Sequence, residues 1–166
     1  MKRFLFLILI VSFNVSAAEQ AITQWVYNTL ERAQANLDKG NVEAAERIYY
    51  DYSNDTWSSR SYDHFVILRT YAYFLLSFDR NEEALRYLKQ ASLKRDMPPY
   101  DIFELNFTLG QVYYVTGDRE NAKKTLLKWV EIGEKNKLDL KPEGYAILAT
   151  IYAQDEEWGN ALKYIT

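Results

Sequence analysis

The chain of 166 residues has no cysteine and only one histidine, His64. The first absence removes disulfides, thiol catalysis, cysteine-held metals and a lipid-modified N-terminal cysteine. The second leaves little for general acid–base work. Asp63 stands beside His64, but no motif ties a serine nucleophile to it, so His64 reads as a capping or surface residue. The six glycines are dispersed, which leaves no glycine-rich loop to cradle a phosphate. Basic excess is missing as well, because 20 Lys and Arg face 23 Asp and Glu. An acidic chain is poorly suited to nucleic acid, whose binding rests on neutralising phosphates. Two local basic clusters, Lys123-Lys124-Lys128 and Lys135-Lys137-Lys141, read as solvated faces, with an acidic partner or lipid headgroups as the sharper alternative. The sequence points to no catalytic residue, cofactor or metal.

The one long apolar run, FLFLILIVSF, is shorter than the roughly 20 residues a spanning helix needs. Lys2 and Arg3 precede it and Ser16-Ala17-Ala18 follow it, the order of a cleavable secretory signal. Residues 1–18 are therefore expected to be a signal peptide and 19–166 the folded domain. Losing Lys2 and Arg3 takes the net charge from -3 to about -5. An exported helical protein without disulfides suits a bacterial periplasm.

What the chain does have is periodicity. Ala45, Ala84, Ala122 and Ala161 are 39, 38 and 39 residues apart, and each follows a polar turn: DKGNVEA, FDRNEE, TGDREN and DEEWGN. A constant period of this length marks a repeat array. The best-formed unit is Leu109–Val130, with Gly110 and Ala122 as small residues where two helices touch, Gly117 in the turn and Asp118 placed to cap the second helix.

Those residues resemble the tetratricopeptide repeat (TPR), over roughly residues 20 to 166. Tyr71-Ala72, Leu109-Gly110 and Leu148-Ala149 stand as its large–small pairs in helix A, and Ala33 holds the small position in the first repeat. Tyr49, Ala91, Tyr145, Tyr152 and Trp158 fall on further motif positions. The chain departs from the pattern at Asp79 and Glu156, where glycine is usual, and in a period longer than the family's 34. The resemblance implies an all-α, right-handed superhelical solenoid of about four antiparallel helix pairs, the last incomplete.

The chain order agrees with that expectation. Ile22, Trp25, Val26, Leu30, Ala33 and Leu37 make one helical stripe, Gly40 ends it, and Asn41 is placed to cap the next helix. Residues 53–61 form a link, and 65–78 an apolar helix that needs neighbours on several faces. Pro98-Pro99 make a break, and Pro142 suits a first helical turn. Glu82-Glu83 and Glu156-Glu157 read as first-turn acids favoured by the helix dipole. The final helix is short, leaving Trp158, Leu162 and Ile165 uncovered. The chain is thus expected to be the N-terminal part of a longer solenoid and prone to self-association.

Aligned on the repeat alanines, the concave surface is expected to be lined by Leu30, Gln34 and Leu37, then Arg69, Tyr73 and Leu76, then Phe107, Gln111 and Tyr114, then Thr150. An apolar and aromatic groove with a few polar groups suits an amphipathic helix or an extended segment. Some TPR proteins clamp a terminal carboxylate with a lysine and an asparagine, but Leu30 and Gln34 stand at those positions, which argues against that activity.

The signal, the missing lipid-anchor cysteine, the NLDKGNVEAAERIY hairpin and the segment YAILATIYAQDEEWGNALKYI are similar to a narrower group. These are periplasmic TPR proteins encoded with TonB energy-transduction systems of gamma-proteobacteria. That resemblance implies a non-enzymatic accessory that binds TonB, ExbB or ExbD and supports uptake of iron chelates. The alternatives are a scaffold for outer-membrane, pilus or cell-wall assembly, or a targeting module of a larger enzyme.

Overall fold

A computed structural model describes residues 21–54 and 61–165 of the chain. The expected signal peptide, residues 1–18, lies outside the described residues. Eight α-helices are present among them: α1 (Gln24–Asp38), α2 (Val42–Ser53), α3 (Ser61–Leu76), α4 (Asn81–Ser92), α5 (Pro99–Val115), α6 (Arg119–Asn136), α7 (Pro142–Gln154) and α8 (Trp158–Leu162). They pair as α1/α2, α3/α4, α5/α6 and α7/α8. Each second helix packs on the first helix of the next pair, and α1 touches α3 as α5 touches α7. The result is the expected solenoid of helical hairpins. Among the described residues no helix is long and apolar enough to cross a membrane.

Small residues set the hairpins. Ala33, Ala72, Ala45, Ala84 and Ala122 are completely buried. Gly110 yields its space to Leu126 rather than to Ala122: a Cβ there would lie 2.6 Å from the Leu126 Cγ. The contact is one helical turn beyond the alanine that marks the repeat.

The turns behave as their residues require. Gly40 and Gly117 have φ of 77° and 84°, and Asp79 and Glu156 take the same left-handed conformation, with φ of 58° and 61°. Chain reversal thus survives without glycine at those two sites, at the cost of strain on a Cβ. Asp118 caps α6 by accepting from the Asn121 N–H at 3.1 Å.

Several local expectations are corrected. Asn41 makes no side-chain cap bond; α1 instead is capped by Thr23, whose hydroxyl accepts from Val26 N–H at 3.4 Å. Helix α3 opens at Ser61, four residues before the expected start. Pro99 does not merely break the chain but opens α5 at its first turn, as Pro142 opens α7. Its missing N–H costs nothing there. Glu82 and Glu83 do occupy a first turn, whereas Glu156 is the left-handed turn residue and Glu157 the N-cap of α8.

The core has two parts that meet in α5. One collects Tyr49, Phe65, Leu68, Tyr71, Leu88 and their neighbours across the first three pairs, with Ile151 of α7. The other is built on Trp129, with Phe103 and Phe107 at 5.5 and 5.2 Å between ring centroids and Tyr145 edge-on at 5.8 Å. Helix α7 reaches this indole through Gly144. The Trp129 Nε1–H is buried and makes no hydrogen bond among the described residues.

Candidate functional site: the helix A groove

The proposed groove residues share one face of each first helix, since they recur at three- and four-residue steps. Leu30, Gln34, Leu37, Arg69, Tyr73, Leu76, Gln111 and Tyr114 are half-buried and Thr150 is exposed. Leu30, Leu37, Tyr73, Leu76 and Tyr114 back onto the first core while keeping part of their surface in solvent.

Phe107 is the exception. At 7% exposure it is a core residue, held against Trp129 and covered by the Lys141 ammonium 4.5 Å from its ring centroid. The lysine stem of the next repeat closes the floor where an aromatic lining was expected.

The groove's two cations are both bound internally. Arg69 pairs with Asp101 at 2.5 Å and lies over the Phe65 ring, 5.0 Å from its centroid. Burial works against the guanidinium charge, but Asp101, aided by Tyr73 and Tyr62, more than offsets it, so the Arg69 pKa stands above its ordinary value. Lys141 donates to Glu104 at 2.8 Å. Between these, Tyr73 and Thr108 hydroxyls meet at 3.4 Å across α3 and α5. The Gln34 amide donates to Asp38 and the Thr150 hydroxyl to the Ala146 carbonyl. Gln111 and Tyr114 make no side-chain hydrogen bond among the described residues. At the fourth repeat the groove opens into a cavity of about 630 Å³ lined by Leu140, Tyr145, Ala149, Ala153, Tyr164 and others.

The reading of the sequence missed the acids that tie the first helices together. Asp63 accepts from the Thr23 backbone N–H at 3.0 Å, and Asp101 accepts from the Tyr62 hydroxyl at 3.0 Å. Both carboxylates are buried. A signal was present: Tyr62-Asp63-His64-Phe65 and Tyr100-Asp101-Ile102-Phe103 repeat the pattern Tyr-Asp-x-Phe at a spacing of 38.

His64 is not free surface, and it caps the last turn of α2 rather than the start of its own helix. Its Nε2 meets the Ser53 carbonyl at 3.0 Å and its Nδ1 the Lys94 ammonium at 2.8 Å. Since a carbonyl can only accept and an ammonium only donate, the ring is the Nε2–H tautomer. It joins the end of α2 to the segment after α4. Among the described residues no group of three or more His, Asp or Glu is placed to hold a metal.

The basic cluster on α6 is partly neutralised, because Lys123 binds Asp155 at 2.6 Å and Glu157 at 3.3 Å. Lys124 and Lys128 remain exposed.

Neither a protein-family model nor a curated protein matches the chain. Solved structures do. The crystal structure of MamA has 18% sequence identity and a TM-score of 0.62, and the match covers 84% of this chain and 73% of that one. PilF of Pseudomonas aeruginosa has 20% identity and a TM-score of 0.63, over 84% of this chain and 57% of that one. The TPR-like repeats of a Podospora anserina kinesin light chain give 18% and 0.59, over 84% and 71%. At this level of identity the likeness is one of fold, and the fold is the TPR-like helical solenoid.

Proposed function

We propose that the protein is a non-enzymatic scaffold that takes a protein segment into the groove along α1, α3, α5 and α7. The observation that carries this reading is the groove's state. Half-buried aromatic and aliphatic side chains lie beside the Gln111 amide and Tyr114 hydroxyl, which have no partner within the described residues. Half-covered apolar surface and unpaired hydrogen-bonding groups are what a partner's anchors need.

The setting proposed is the periplasm, reached through the signal at residues 1–18, and the partner is a component of a TonB system, TonB, ExbB or ExbD. Support comes from the order of charge, apolar run and small residues at the N-terminus and from the resemblance to TPR proteins encoded with such systems. Export in a soluble form fits the absence of a cysteine for lipid attachment.

In-cell crosslinking followed by capture of the full-length exported protein from iron-starved cells tests the partner. Recovery of TonB, ExbB or ExbD with wild type but not with Tyr73→Ala/Tyr114→Ala is the expected result. Recovery of outer-membrane assembly or cell-wall factors in their place would retire the TonB reading and leave an envelope-assembly scaffold.

A further inference from the structure

The fourth repeat departs from the other three on the face of its first helix. Three residues before the small residue of each earlier first helix stand Leu30, Arg69 and Phe107, and four residues after it Leu37, Leu76 and Tyr114. In α7 both positions are alanine, Ala146 and Ala153. The missing bulk is not replaced. A cavity of about 630 Å³ lies against these alanines, a volume within the roughly 300 to 1,000 Å³ of small-molecule sites. Leu140, Pro142 and Ile165 give it apolar walls, and Tyr145 and Tyr164, with 5.7 Å between ring centroids, an aromatic one.

The electrostatics of the cavity favour one sign of charge. Among the described residues no lysine or arginine lines it. Burial first, and then the Glu134 carboxylate on α6, push the Tyr145 hydroxyl above its ordinary pKa. At Tyr164 burial again comes first, followed by Tyr152, Glu134 and Tyr145. A negative field that disfavours a phenolate at both hydroxyls favours a cation in the space beside them. Glu134 itself makes no ion pair among the described residues. Elsewhere the chain sets its own cations against such rings: Lys141 stands 4.5 Å from the Phe107 centroid and Lys123 5.1 Å from that of Tyr152. Among the described residues none stands over Tyr145 or Tyr164.

Hydration selects the kind of cation. A primary ammonium has three N–H donors that each need an acceptor on leaving water, and a mostly apolar lining supplies few. A quaternary ammonium has no N–H, and its methyl groups pack on aromatic faces within about 6 Å of the ring centroid. We propose that the cavity of the fourth repeat binds a small quaternary ammonium compound, its methyl groups against Tyr145 and Tyr164 and its charge on the side of Glu134. This is a function separate from the capture of a protein partner, and its test uses no partner.

Calorimetric titration of the whole chain with choline tests it. The controls are the neutral analogue in which carbon replaces the choline nitrogen, ethanolamine as a primary ammonium, and acetyl-lysinamide as the side chain a partner protein would offer. Saturable binding of choline, roughly tenfold tighter than any control, is expected. Ala153→Leu, which restores the bulk carried by the earlier repeats, should abolish it with the thermal transition in place. Glu134→Gln, at an exposed position, should weaken choline by about threefold and leave the neutral analogue unchanged. Tyr164→Ala should weaken it more than Tyr164→Phe, which keeps the ring. Equal binding of choline and its neutral analogue, indifference to Ala153→Leu or Glu134→Gln, or no saturable binding overturns the proposal. Tighter binding of acetyl-lysinamide overturns it as well and assigns the cavity to a partner's lysine.

Discussion

Gly144 is the space that Trp129 fills: a Cβ on the glycine would lie 2.4 Å from the indole Cζ3 and 2.6 Å from Cη2. The indole is completely buried and is the centre of the second core, so it has nowhere to move. Gly144→Ala should therefore destabilise the fourth repeat by about 1 to 3 kcal/mol, despite the better helix propensity of alanine. Denaturant unfolding followed by fluorescence checks this; a more stable variant would show that α7 is free to shift.

Asp79 and Glu156 hold left-handed turns that a Cβ disfavours. Replacing each by glycine should raise stability by about 0.5 to 1 kcal/mol, the relief of strain exceeding the added freedom of the unfolded chain. Thermal unfolding of Asp79→Gly and Glu156→Gly gives the answer, and a fall in Tm for both would contradict the conformational argument.

Ala122 is completely buried between α5 and α6. Ala122→Arg should be severe, at least ~4 kcal/mol, because it overpacks the hairpin and buries an unpaired charge. Loss of helicity together with binding is expected, and an unchanged melting curve would refute the packing.

Acid should loosen the turns inside the third and fourth helix pairs. Hydrogen bonds from Asn121 lower the Asp118 pKa, and the Lys123 ammonium lowers that of Asp155. A carboxylate whose folded pKa lies below its unfolded value contributes stability above the unfolded pKa, near 4, and loses it as pH falls through the folded one. Both groups are solvent-accessible, so the effect is small and salt-sensitive. Stability measured between about pH 5 and 2.5 should fall less in Asp118→Asn/Asp155→Asn than in wild type.

Much of the architecture could be read in advance because it is set by local, repeated rules. The alanine period places each hairpin, and the offsets of Asp79 and Glu156 from Ala84 and Ala161 identify left-handed turns even without glycine. What escaped depends on residues far apart in the chain. Phe107 is drawn into the core by Trp129 and Lys141, and the half-buried His64 is held by Ser53 and Lys94. Arg69 is claimed by Asp101, 32 positions away. A periodic pattern gives the face on which a side chain emerges; it does not say which neighbour has already taken it.

The inter-repeat ion pairs make the same point. Glu46 and Lys123 both follow a repeat alanine, and Arg80 and Glu157 both precede the next one by four residues, yet Glu46–Arg80 and Lys123–Glu157 carry opposite polarity. Position is periodic and charge is not. Moving Lys123 to the first repeat, as Glu46→Lys, should place it against Arg80 and lower stability there by about 0.5 to 1 kcal/mol, with Arg80→Glu in the same chain restoring only part of it, because Arg80 also pairs with Glu83.

The claim that the groove is the partner-binding surface is tested most directly by a photo-crosslinking amino acid placed at Gln111, in the groove, or at Lys124, exposed on α6. Both variants are illuminated in cells that produce the exported protein. A discrete adduct from position 111 and none from position 124 is the predicted result. Adducts from position 124 alone, or equally from both, would contradict the groove as the site of binding.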